Sequence, residues 1–526
     1  MKRLLILFII LAFISYSFAS EEKDACTTIT VGKLASSDGS VMTSHTCDSR
    51  VSRTWIDIVK AQKHKPGAMR KCYVDSNKTV SAYDLAKQKL TGKIPQPANT
   101  FKYFNTALPP LNEHQVAVGE STFTGKKIMI SENGLIDYYE LNRIMVERAK
   151  TARDAIRIAD EVTKKYGYIR SGECFTIADP KEVWHLEITG PGKGKKGAVW
   201  VAQRVPDDHI GVNANAARIR EIDLSQPDYF MASENYKSRA IELGLYDPQS
   251  GKPFEFCYVY GSRTSLASRR REWRAFDLLA PALKLDPNAE NYPFSVKPEK
   301  KVDVKDIMNI FRDTYEDTPF DMTKYMLVPE TDKDDKRTGK FLKSPYANPF
   351  MDYDMMPLFK INGGWNELGE RCIARYYCAY ATVIQVRDWL PNDIGGLVWF
   401  SYDNPAMTSY APLYIGIDKV PESYKICGRP GFNYDCAWWA FNRVADLSAQ
   451  KWGEMRHDAA KVWQKFEREA LGEQAEVEAK ALALYKKSPS KARKFLTEYS
   501  NKWMNKLVKA YWQLGNDLWS KYTGKF

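Results

Sequence analysis

"ACTTITVGKLASSDGS", residues 25–40, decides how this chain is read. Cys26 is followed by a strand-like run and then by "SDGS", residues that turn a chain back on itself. The stretch therefore predicts a hairpin whose first strand begins just after a cysteine. Three roles compete for that thiol: a disulfide partner, a lipid attachment site, or a nucleophile that becomes the first residue of the mature chain.

The residues ahead of Cys26 narrow the choice. "MKRLLILFIILAFISYSFAS" (1–20) has Lys2 and Arg3, an apolar run from Leu4 to Ile14, and then small residues, with Ser17 and Ala19 suited to a signal-peptidase cut. Residues 1–19 read as a signal peptide and 20–25 as a short pro-segment. The apolar run is too short to span a bilayer comfortably, and no later stretch reaches the needed length. The mature protein is thus expected to be exported, periplasmic or secreted, with no stable membrane insertion after signal removal. Lipid attachment needs small or apolar residues directly before the cysteine, and Lys23 and Asp24 stand there instead. The disulfide reading stays open: of nine cysteines, eight remain when Cys26 is set aside, an even number in an exported chain. There is no CxxC pair and no His/Cys cluster at zinc spacing, so neither a metal nor an organic cofactor is expected.

The 526 residues are 44% hydrophobic and 27% charged, a globular balance able to build a sizeable core. The net charge of +12 is scattered, with "RRREWR" (269–274) its densest run, which argues against a nucleic-acid partner. Short strands broken by Gly, Ser, Pro and Asn fill the region from Cys26 to Val118, and residues 139–165 have the apolar spacing of one amphipathic helix. Strand signals return at 174–189 and 198–205, around the turn "GPGKGKKG", then in "HIGVNANAARI" and at 371–416. "DKDDKRTGK" (332–340) reads as an exposed loop. From about 436 the pattern changes to long Lys- and Glu-rich helices. The organisation is a mixed α+β body over 26–435 and a helical region over 436–526, which either packs on the body or makes a homo-oligomer interface.

Cutting before Cys26 would create a second functional group. The freed α-amine, with a reference pKa of about 7.7–8.0, can act as base for a thiol of reference pKa about 8.5 in the same residue. One cleavage supplies nucleophile and base together.

At this point the residues carry a resemblance. "ACTTITVGKLASSDGS", "LNEHQVAVGEST" (111–122), "VNANAARIR" (212–220), "FRDTYEDTPFDMTK" (311–324) and "GGLVWFSYDNPAMTSYAPLYIG" (395–416) resemble, in order, the cysteine dipeptidase family of the N-terminal nucleophile hydrolases, which includes dipeptidase A and the secernins. The resemblance extends over essentially the mature chain. It implies a four-layer αββα sandwich and hydrolysis of dipeptides with a free N-terminus, small peptides being the partners. It also implies removal of the pro-segment, by self-cleavage or by another protease.

The same resemblance assigns roles. Cys26 is the nucleophile. "HTCD" occupies the place of the superfamily's Arg-x-x-Asp: Asp48 matches the aspartate that holds the α-amine, while His45 stands where the arginine is expected, with Arg50 or Arg53 as substitutes. Asn215 matches an oxyanion donor, an amide N–H₂ aimed at developing negative charge, and Asn213 falls on the same strand face. Arg218 has the fork to bind a substrate carboxylate, and Glu120 the charge to bind a substrate ammonium. One of Arg269, Arg270 and Arg271 corresponds to the site arginine, with Arg271 best spaced. His114, His185 and His209 invite a Cys–His dyad, which an N-terminal nucleophile does not need. The alternatives are an amidase acting on another small amide, of the penicillin V or bile-salt hydrolase type, and a non-catalytic, secernin-like binding protein.

Overall fold

The computed structural model describes residues 26–50, 52–74, 89–350 and 371–524; the predicted signal peptide and pro-segment, 1–19 and 20–25, lie outside them. The hairpin called for by the opening stretch is present: β1 (Thr28–Val31) and β2 (Val41–Asp48) run antiparallel. Asp38 builds the turn, its Oδ1 accepting from the Ser40 N–H (2.9 Å) and from the hydroxyls of Ser36 (2.7 Å) and Ser40 (2.6 Å). Gly39 takes the left-handed conformation there, with φ of 80°.

Every residue of β1 and β2 is buried. A strand buried throughout needs neighbours on both sides and cover on both faces. The neighbours are β7 (Ile210–Asn213), β9 (Ser295–Val296), β10 (Cys378–Val386), β11 (Leu397–Tyr402) and β12 (Ala411–Tyr414), which complete a seven-stranded antiparallel sheet in the order β9–β7–β1–β2–β10–β11–β12. A second antiparallel sheet orders β8 (Phe230–Ala232), β6 (Val199–Val205), β5 (Val183–Thr189), β4 (Glu173–Ala178) and β3 (Ala117–Ser121) as β8–β6–β5–β4–β3.

The two sheets meet through small polar residues. Thr43 Oγ1 on β2 lies 2.7 Å from Thr176 Oγ1 on β4, and Thr30 Oγ1 on β1 lies 3.0 Å from His185 Nε2 on β5. Gly119 on β3 permits the close approach, because a Cβ there would fall 2.4 Å from the Ser44 carbonyl oxygen.

Helices pack against both sheets. α1 (Tyr138–Arg148) and α2 (Ala152–Tyr166) share a core with the five-stranded sheet, Ile144 and Ile156 clustering with Phe175, Leu186 and Trp200. The single helix expected over 139–165 is therefore two. Ala149 leaves helical geometry with ψ of 144°, and the Thr151 hydroxyl caps a fresh start by accepting from the Asp154 N–H at 3.1 Å. The apolar spacing continues across the break because both helices lie over the same sheet. α3 (Leu266–Leu279), α4 (Val304–Phe311), α5 (Ala437–Gln450), α6 (Trp452–Lys487) and α7 (Pro489–Tyr522) share a core with the seven-stranded sheet, among them Phe276, Ile307, Phe441 and Leu507 with Val383, Trp399 and Leu413.

The architecture is thus α+β. The last helices are tied to the sheet by buried polar contacts as well as apolar ones. Arg312 Nη1 donates to Glu467 Oε2 (3.1 Å), Glu467 accepts again from the Tyr410 N–H (3.2 Å), and the Tyr511 hydroxyl donates to the Met407 carbonyl (3.0 Å).

One further expectation is corrected. The stretch 332–340 is not all loop: strands Leu327–Thr331 and Arg337–Lys343 pair as an exposed hairpin, so the polar run is strand on one side of its turn. The question of disulfides, left open by the sequence, is answered by nine buried cysteines of which none is joined to another. Among the described residues, no helix is long and apolar enough to cross a membrane.

Candidate active site

Cys26 stands at the entry to β1, where main-chain pairing fixes it. Thr27 bridges to Thr46 on β2, the Thr46 N–H donating to the Thr27 carbonyl and the Thr27 N–H to Thr46 Oγ1, both at 3.0 Å. The Cys26 carbonyl then receives two donors from other parts of the chain, Arg271 Nη1 at 2.8 Å and Ser121 Oγ at 3.2 Å.

Arg271 is the organising group. Its helix, α3, begins at a Ser265 cap and turns Arg271 onto the buried side. From there the guanidinium reaches the Cys26 carbonyl, Thr27 Oγ1 (2.8 Å), the Ala214 carbonyl (3.2 Å) and Asn215 Oδ1 (2.8 Å). Burial, and then the nearby Arg371 charge, pulls it down to about 9, still protonated at neutral pH. Its neighbours turn elsewhere: Arg269 donates to the Ala289 carbonyl and Arg270 to the Pro287 carbonyl.

Asn215 follows β7 in the left-handed conformation, φ 62°, which asparagine tolerates better than most residues. Its amide is oriented at both ends. Oδ1 accepts from Arg271, Nδ2 gives one hydrogen to the Thr122 carbonyl (2.7 Å), and the second hydrogen of Nδ2 remains available to an oxyanion. The Asn215 main-chain N–H donates to Ser121 Oγ at 2.8 Å. Asn213, by contrast, turns its Nδ2 back onto the Ala216 carbonyl at 3.0 Å, within its own loop.

Asp48, at the far end of β2, is buried and paired with Arg371, whose Nη2 donates to Oδ2 at 2.8 Å. Its other oxygen, Oδ1, is buried with no hydrogen bond, an acceptor suited to a cationic partner. An arginine thus does stand beside Asp48, from 323 positions away in the chain. Of the two suggested substitutes, Arg50 lies over Tyr376 and Tyr377, and Arg53 over Trp55.

His45, Glu120 and Cys26 meet where β2 faces β3. The three are 2%, 1% and 1% exposed, and one ligand-type atom from each lies within 4.8 Å of the others. His45 Nε2 is 3.4 Å from Glu120 Oε2 without forming a hydrogen bond. Thr122 Oγ1 joins Glu120 Oε1 (2.8 Å) to a second buried carboxyl, Glu173 Oε2 (3.0 Å). Burial alone would raise Glu120, but His45, Glu173 and Thr122 beside it bring it below the usual carboxylate value. Burial, and then the Glu120 charge, push Glu173 well above the usual carboxylate value.

Arg218 is spent on the fold. It donates to the Val212 carbonyl (2.8 Å) and to the Tyr292 and Pro293 carbonyls, and it pairs with Glu272 at 3.4 Å. The histidines considered for a dyad also have other employment: His185 contacts Thr30, with burial pulling it down to about 3, His209 contacts Ser295, and His114 packs on Phe101. Arg371 and Glu173 escaped the sequence reading because nothing local marks them. Only the pairing of β10 with β2, Cys378 opposite Asp48, brings the Arg371 segment to the site.

The sequence profile of peptidase family C69 matches residues 25–465. A probable dipeptidase of Salmonella dublin is 25% identical over 450 residues, covering 79% of this chain and 88% of its own. A probable dipeptidase of Latilactobacillus sakei is 23% identical over 427 residues, 77% of each chain. Dipeptidase A of Lactobacillus helveticus is 23% identical over 439 residues, 80% of this chain and 81% of its own.

Proposed function

This chain belongs to peptidase family C69, and from that premise we propose that it is an exported cysteine dipeptidase of the N-terminal nucleophile type, cut before Cys26 and built as a four-layer αββα sandwich. The stacked antiparallel sheets with helices packed against each support the architecture. The observation that carries the mechanism is the convergence of Arg271 and Ser121 on the Cys26 carbonyl, with Asn215 hydrogen-bonded to both of them.

In the mature chain the Cys26 α-amine takes the thiol proton, and the thiolate attacks the scissile carbonyl carbon. The Asn215 amide, held by Arg271 and Thr122, offers its remaining N–H to the oxyanion; loss of such a donor costs roughly 10²–10³ in rate. The C–N bond breaks, the leaving amine receives the proton from the α-ammonium, and a thioester remains on Cys26. Water, its proton taken by the α-amine, hydrolyses the thioester and returns the thiol. Asp48, held by Arg371, balances the α-ammonium during each transfer. The buried negative charge of Glu120 complements a substrate ammonium, which favours free dipeptides over N-acylated amides.

Intact-mass measurement of purified protein and a hydrolysis panel test this. A chain starting at Cys26 that cleaves dipeptides, spares N-acetyl dipeptides and loses all activity in Cys26→Ala is the expected result. Preference for the N-acylated substrate would replace the dipeptidase reading with the amidase one. A stable chain that keeps residues ahead of Cys26 and cleaves nothing would sink both.

A further inference from the structure

Beside its proposed catalytic use, the cluster at Cys26 has the composition of a metal site. We propose that Cys26 Sγ, His45 Nε2 and Glu120 Oε2 bind a divalent transition metal of the zinc class, and that the metal holds the nucleophile as a metal thiolate and switches hydrolysis off. The inhibitory consequence rests on Cys26 being the nucleophile; the binding does not.

Three observations carry the site. Thiolate, imidazole and carboxylate are the ligand types that zinc takes, and one atom of each lies within 4.8 Å of the other two. His45 Nε2 and Glu120 Oε2 are already 3.4 Å apart, and zinc bonds of about 2.0–2.1 Å at tetrahedral angles set such atoms roughly 3.3–3.4 Å apart. His45 Nε2 is buried with no hydrogen bond, and the carboxylate it faces, Glu120, would be its co-ligand. Cys26 Sγ, within 4.8 Å of both atoms, is the third ligand.

The charges close as well. Binding releases the thiol proton to solvent, and a thiolate and a carboxylate then neutralise the dication in a site where unbalanced charge is costly. The fourth position is open to water or, in the cut chain, to the α-amine of Cys26, which forms a five-membered chelate with its own sulfur. Arginine at position 45 could not serve, since a guanidinium has no lone pair to give. The site is thus particular to a chain with His45.

Cobalt(II) reports on it directly. Titrated into reduced, metal-free protein beginning at Cys26, one equivalent is expected to give the near-ultraviolet thiolate-to-cobalt band with tetrahedral visible bands, and zinc to bleach both. Cys26→Ala should abolish the thiolate band, and His45→Gln and Glu120→Gln should each weaken cobalt binding by more than about tenfold, circular dichroism showing the variants folded. Zinc at the same stoichiometry should stop dipeptide hydrolysis and a chelator restore it. Absence of the band, its persistence in Cys26→Ala, or unchanged affinity in His45→Gln overturns the proposal. A band in a protein that hydrolyses no dipeptide leaves the metal site standing and removes the peptidase reading; hydrolysis without a band does the reverse.

Discussion

Arg271 shows why residue type matters more than charge at this site. One planar guanidinium reaches four acceptors from two separate segments, and a lysine ammonium is a point charge that cannot span them. Arg271→Lys is therefore expected to keep the fold but let Cys26 and Asn215 drift, lowering kcat roughly 10²-fold with KM little changed. Steady-state kinetics beside a thermal melt would show it; a parallel rise in KM with kcat preserved would mean that Arg271 acts on substrate binding instead. Spacing from Arg274 favours Arg271 but does not exclude Arg270, which lies four residues from Arg274 on the same face, so the contacts of the folded chain were needed to separate them. Arg218 was misread for an equally physical reason. A guanidinium next to a strand end suits a substrate carboxylate and suits main-chain carbonyls alike, and sequence does not say which lies nearer.

The elements are joined by ion pairs whose strength depends on pH. Glu316 bridges Arg456 on α6 and Lys343 at the base of the exposed hairpin, with Arg456 Nη2 at 2.8 Å and Lys343 Nζ at 3.0 Å from Oε1. Donation from Arg456, and then from Lys343, outweighs burial and brings Glu316 down to about 2. The folded value lies below the unfolded one, so the stabilisation is fully present above the ordinary carboxylate range and is lost as pH falls toward 2. Protection of Leu327–Thr331 and Arg337–Lys343 against hydrogen exchange, taken relative to the intrinsic amide rate at each pH, is expected to fall over that acid range in the native chain. In Glu316→Gln it should be low already at neutral pH, and an identical profile in the two proteins would show that the bridge does not anchor the hairpin. At this scale most strands were legible from alternation and turn residues. The split between α1 and α2 was not, because a helix break over one sheet leaves the apolar period intact.

For the whole molecule, the last three helices are part of the main core. Phe441, Leu507 and Tyr511 cluster with Trp399 and Leu413, while Glu467 and Glu478 compensate Arg312 and Arg387 inside it. A chain ending at Gln450 would lose α6 and α7, leaving apolar surface and two buried arginines without their carboxylates. Such a truncation is expected to be insoluble or aggregated, as size-exclusion chromatography would show; a monomeric, cooperatively melting product would overturn this account of the tail. What the sequence by itself determined was the opening hairpin, the cysteine at its head, the strand-rich body and the helical end, because period and turn chemistry are local properties. What only the tertiary structure decided was partnership: Arg371 beside Asp48, and His45 with Glu120 and Cys26. Alternation tells which face a side chain takes, but the residue it meets there is set by strand register and by the stacking of one sheet on the other.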